Sequence, residues 1–111
     1  MGLCICYSPI PVIRNEELIL IYAEANIQLN NLNEGLKAIN VIRNGHGLAD
    51  YSGAVTQPAL ITEMLKQRRY SLFFEGHRWI DLRRYNLLNT LPLDRQGDDV
   101  WTEFPLPVTE Q

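Results

Sequence analysis

Glu75, His77 and Asp81 place a carboxylate, an imidazole and a second carboxylate within seven residues, the groups on which general acid–base catalysis and metal ligation draw. His77 and Asp81 are four apart, so on a helix they share a face and offer two metal ligands. A catalytic metal commonly takes three protein ligands, and the second histidine, His46, sits in a glycine-flanked loop. Acid–base work by Glu75 and His77 needs a cleft that holds a substrate, which four short helices do not readily supply. The Ser and Thr residues have no neighbouring base in sequence, and neither a glycine-rich phosphate cradle nor a paired-cysteine metal site occurs. No catalytic, cofactor or metal residue is therefore assigned, and the chain is read as a non-enzyme.

A structural use of the same residues makes a sharper demand. Arg68 falls on the apolar line Ile61, Leu65, Arg68, Leu72, and a guanidinium buried there without an anion costs several kcal/mol. Glu75 and Asp81 are the candidate anions. Asp81 also has Arg78 three residues before it and Arg84 three after, so it can tie helical turns together. Gly76 permits a bend or close approach between the flanking helices. Arg68, Glu75, Gly76, Arg78, Trp79, Asp81 and Arg84 are thus expected to form a polar latch. Trp79, Tyr85, Tyr70 and Tyr22 are expected to fill gaps between helices rather than present a sugar-stacking face.

Four helices must position these groups. Pro9 and Pro11 make residues 1–13 extended. Asn15 is a good cap for a first helix to about Leu29, with Glu16 and Glu17 suiting its positive end. Its apolar residues cover too many sides for one stripe: Leu18, Tyr22, Ala25 and Leu29 form one face, while Ile19, Ile21, Ala23 and Ile27 occupy others. Such a helix is normally surrounded by neighbours. Asn33 is the expected cap of a second helix with Leu32, Leu36, Ile39 and Ile42 or Arg43 on one side, ended at Asn44-Gly45 with Gly45 left-handed. His46 to Thr56 reads as a loop. Pro58 opens a third helix, capped by Thr56 or Gln57 and running through Phe74. HRWIDLRRYNLL gives a fourth, residues 92–99 a turn, and VWTEFPLPV an extended tail that its prolines bar from a central strand. The expected fold is all-α, two antiparallel hairpins with extended ends.

At 111 residues and 46% hydrophobic, the chain is one domain or part of one, able to bury about two-thirds of its unfolded surface. Its net charge of -3 argues against a dedicated nucleic-acid binder, which needs surplus cations. Residues 66–84 carry a local +4 against -7 elsewhere, a pattern that suits internal pairing. Cys4 and Cys6 are too close to bridge comfortably and have no second cluster for a metal. The longest apolar run, Leu18 to Ala23, is far short of the roughly 20 residues a membrane helix needs. Pro9 and Pro11 interrupt the N-terminus before an apolar stretch of signal length forms, so no targeting segment or lipid anchor is expected in this chain.

The string FFEGHRWIDLRRY, preceded by QRRYSL and followed by FPLP at residues 104–107, resembles the C-terminal region of SusD/RagB-family proteins, the nutrient-binding outer-membrane lipoproteins of Bacteroidetes. IPVIRNEELILIYAEANIQ, with Arg14, Glu17, Tyr22, Ala23, Glu24 and Ala25, resembles a helix of that region, and GLKAINVIRNGHGL the next. The likeness spans about Pro11 to Glu110. Gln67 and Ser71 stand where the family often has acidic residues.

The resemblance implies a TPR-like helical segment, residues 14–111, following an extended segment, residues 1–13. The parent would be a surface-exposed outer-membrane protein that captures glycans or other nutrients for a TonB-dependent, SusC-like transporter. It implies no cofactor and carries over no sugar-binding residue, because ligand contacts in the family come mostly from outside the helical repeats. The alternative is a stand-alone TPR-like protein-interaction module.

Overall fold

The computed structural model describes residues 9–110. Cys4, Cys6 and the first eight residues of the expected extended segment lie outside that range. The described chain is all-helical: α1 Asn15–Gln28, α2 Leu32–Gly45, α3 Gln57–Ser71 and α4 His77–Arg84, with short 3-10 turns at Leu88–Thr90 and Val108–Glu110. No strand occurs among the described residues, and the FPLP tail is non-repetitive. The chain divides between Ser71 and Leu72 into two compact units.

In the first unit α1 and α2 form the expected hairpin, and α3 packs on both. Leu20, Ala23 and Ile27 of α1, Ala38, Ile39 and Ile42 of α2, and Leu60, Met64 and Leu65 of α3 build its core. Each large side chain buried there contributes about 1.5–3 kcal/mol. The hairpin closes tightly because Gly35 has no Cβ; one would stand 2.5 Å from Ile27 Cγ1 and 3.3 Å from the Ala23 carbonyl. The buried side of α1 is thus the line Leu20, Ala23, Ile27. Two neighbours cover it and leave Leu18, Ile21, Tyr22 and Leu29 exposed, at 47%, 46%, 53% and 73%. The face expected from Leu18, Tyr22, Ala25 and Leu29 exists, but within this chain it points to solvent.

Helix ends explain most boundary differences. Arg14, not Asn15, is the cap residue of α1, with β-region angles and a carbonyl that accepts from the Glu17 and Leu18 amides at 3.1 and 3.3 Å. Asn31 rather than Asn33 caps α2. At the end of α2 the left-handed residue is Gly47 (φ 73), not Gly45, which completes the last helical turn. The Leu48 amide bonds the Arg43 carbonyl at 2.9 Å, and that of Gly47 the Asn44 carbonyl at 3.0 Å, a Schellman closure. The same closure ends α1 at Asn30 (φ 62; Asn31 amide to Asn26 carbonyl, 2.8 Å) and α4 at Asn86 (φ 55; Leu87 amide to Leu82 carbonyl, 2.7 Å). Asparagine tolerates that conformation better than any other non-glycine residue.

Helix α3 starts with Gln57 and has Pro58 second. The Gln57 amide side chain reaches back to the Ile27 carbonyl at 3.1 Å, a second donor beside the Asn30 amide at 3.0 Å, and so ties the start of α3 to the end of α1. α3 stops at Ser71, not Phe74, because Phe74 takes a positive φ of 64. Gly76 (φ 79) then caps α4. In this second unit α4 packs against the Leu88–Thr90 turn, with Leu72 and Leu82 buried.

Candidate functional site

Arg68 in the first unit and Asp81 in the second are each buried, at 6% and 4% exposed. Asp81 accepts a hydrogen bond from Arg84 at 2.9 Å, one turn away on α4. Glu75 is exposed, whereas His77 and Arg78 are half-buried. Arg84 also lies over the Tyr85 ring, its guanidinium carbon 5.3 Å from the centroid.

Trp79 organises the second unit. Its indole N–H donates to the Trp101 carbonyl at 3.1 Å, and its ring packs on Phe104 at 5.4 Å with a 30° tilt. Arg83 covers it at 5.5 Å, within cation–π range. The indole thus packs, half-buried, on the tail and not between helices, and of the other aromatics expected to fill gaps between helices Tyr22 and Tyr70 are exposed; the hydrogen bond and the ring contact hold the tail to α4. Among the described residues no group of three His, Cys, Asp or Glu side chains is placed to hold a metal ion.

Two polar clusters in the first unit escaped the sequence. Arg43, expected only as a helix-ending cation, pairs with the buried Glu63 of α3. Glu63 also accepts from Gln67 at 2.8 Å, and Arg43 Nε donates to the Ala49 carbonyl at 2.8 Å. The pair joins α2, α3 and the intervening loop. Its signal was present in the position of Arg43 beside Ile39 and Ile42 and of Glu63 between Leu60 and Met64.

The second cluster brings Glu16, His46 and Ser71 together from three helix ends. His46 Nε2 lies 3.6 Å from Glu16 Oε1 and 3.3 Å from Ser71 Oγ. The residue types match a nucleophile–base–carboxylate set, but the geometry does not. A relay needs the carboxylate on one ring nitrogen and the hydroxyl on the other, and here both face Nε2. Arg14 meanwhile donates to the Ser71 carbonyl, placing a cation at the negative end of α3. The cluster ties helix termini together. No sequence spacing announces it, since its members are 30 and 25 residues apart.

The described residues are all-helical, with a helical hairpin in the first unit and aromatic and ionic contacts within each unit. The family model for the SusD family matches residues 7–104, and the chain belongs to that family. SusD-family proteins are non-catalytic outer-membrane lipoproteins that bind nutrients, glycans among them, and generally work with SusC-like transporters. No curated protein and no solved structure matches the chain. No described helix is long and apolar enough to cross a membrane.

Proposed function

We propose that this chain is the helical C-terminal segment of a nutrient-capture protein that hands glycans or related nutrients to a TonB-dependent, SusC-like transporter at the outer-membrane surface. The observation that carries the reading is the stripe Leu18, Ile21, Tyr22 and Leu29 on α1 in a chain of this family. At helical spacings of three, one and seven residues these side chains form one apolar face, which suits burial against another layer of helices in a larger body. Phe73 and Phe74, 68% and 94% exposed, support the same reading in the second unit. In this role Arg68, Glu75, Gly76, Arg78, Trp79, Asp81 and Arg84 hold the fold and touch no ligand.

The test is affinity purification of a SusC-like transporter from detergent-extracted membranes of cells that express both it and the protein containing this sequence. Recovery of a longer polypeptide containing this sequence, bound to the transporter and to a glycan, is the expected result. Recovery of the 111-residue chain as a folded monomer that ignores the transporter and holds a peptide would favour a free-standing interaction module.

A further inference from the structure

Beside the Leu88–Thr90 turn the second unit carries an open cleft of about 560 Å³, lined by Asn86, Leu88, Asn89, Asp98, Asp99 and Thr102 together with Leu91, Leu93 and Val100. A neighbouring lobe of about 710 Å³ shares Leu91, Leu93, Asp98, Asp99 and Val100 and adds Asp94 and Trp101. Volumes of this size suit a small organic ligand. The lining combines aliphatic side chains with carboxylate, amide and hydroxyl groups, and among the described residues neither lobe is lined by a Lys, Arg or His.

The carboxylates are not equivalent. Asp98 accepts from the Arg95 backbone amide at 2.9 Å and so holds the loop. Asp94 faces Arg95 at 3.5 Å. Asp99 has no protein partner among the described residues, and it stands in the wall common to both lobes. A carboxylate without a protein cation, a tryptophan more than half exposed and aliphatic lining residues are together complementary to a positive charge on a short apolar stem.

We infer that this cleft binds a small organic cation, an alkylammonium or alkylguanidinium, with its charge at Asp99 and over Trp101 and its stem along Leu91, Leu93 and Val100. The site is independent of the transporter and glycan reading, which stands or falls on co-purification.

The test is a heteronuclear NMR titration of the full chain with n-butylammonium and n-butylguanidinium chlorides, with sodium chloride and n-butanol as controls. The expected result is saturable shifts at the Trp101 indole N–H, the Asn86 and Asn89 side-chain amides and the Asp99 backbone amide, half-complete at millimolar ligand. Asp99→Asn keeps the shape of the wall and weakens binding about 10-fold or more, the scale of a lost charge-assisted hydrogen bond. Trp101→Leu, which removes the indole face but keeps the carbonyl that Trp79 uses, weakens it several-fold and decides the matter if Asp99→Asn loses its dispersed spectrum. Shifts no larger than those from sodium chloride, equal shifts from n-butanol, or unchanged affinity in a folded Asp99→Asn or Trp101→Leu variant would overturn the assignment.

Discussion

Substituting alanine for glycine at two positions of α2 should move stability in opposite directions. In a helix interior alanine is favoured over glycine by about 0.8–1.0 kcal/mol, and neither Gly35 nor Gly45 has a positive φ, so backbone conformation opposes neither change. At Gly45 a Cβ meets nothing within 4 Å, and Gly45→Ala should gain up to about 1 kcal/mol. At Gly35 the new methyl would lie 2.5 Å from Ile27 Cγ1. Ile27 is fully buried, and its branched side chain is held to one rotamer in a helix, so it cannot swing aside. The nearby Ala23 carbonyl, 3.3 Å away, belongs to the α1 backbone. Relief therefore requires α1 and α2 to separate, at an overpacking cost of about 1–3 kcal/mol. The net expectation for Gly35→Ala is a loss of about 1 kcal/mol. For a domain near this size that is roughly 4–8 °C in Tm, read by circular dichroism melts of both variants beside the parent. A Gly35→Ala variant that melts higher than the parent, as Gly45→Ala should, would refute the close crossing of α1 and α2.

Five other substitutions address the polar joints and the bend. Glu63→Ala should cost about 3 kcal/mol or more in denaturant melts, because it strands the Arg43 guanidinium in a largely buried site; a loss below about 0.5 kcal/mol would mean that the pair is solvated. Arg68→Ala or Asp81→Ala should likewise cost about 3 kcal/mol, whereas Arg84→Ala, at the half-exposed end of its pair, should cost under about 1 kcal/mol. Equal losses for Asp81→Ala and Arg84→Ala would show that Asp81 serves Arg84 alone. Phe74→Gly should leave thermal stability unchanged or raise it by about 1 kcal/mol, since it removes a left-handed aromatic residue whose ring is almost wholly exposed; a large loss would show that the ring is packed in solution.

The helices could be read from the sequence because propensity, caps and apolar spacing agreed there. α2 follows its stripe Ile39, Ile42, and α4 begins just after the glycine expected to break the chain. Where boundaries slipped, backbone geometry decided. Gly47 rather than Gly45 took the left-handed position because the closing bonds of a Schellman motif count from the last helical residue, and Phe74 ended α3 through a conformation that no aromatic residue advertises. The exposed face of α1 was visible as surplus apolarity, but which line of residues its partners would take depended on Gly35 letting α2 approach Ala23 and Ile27. The Arg43–Glu63 pair and the Glu16–His46–Ser71 cluster join residues 20 or more apart, and only the packing of three helices brings them together. The bond from Arg84 to Asp81 is local and was foreseeable from their spacing, whereas the contacts of Trp79 with residues 101 and 104 depended on where the tail returns.

The central claim is that the α1 face of Leu18, Ile21, Tyr22 and Leu29 is built to be covered by further polypeptide, and sedimentation velocity of the purified chain with and without the triple substitution Leu18→Lys, Tyr22→Lys, Leu29→Lys tests it most directly. The account predicts that the parent chain self-associates and that the substituted chain sediments as a single folded monomer. A parent chain that is already monodisperse and melts cooperatively at every concentration would contradict it.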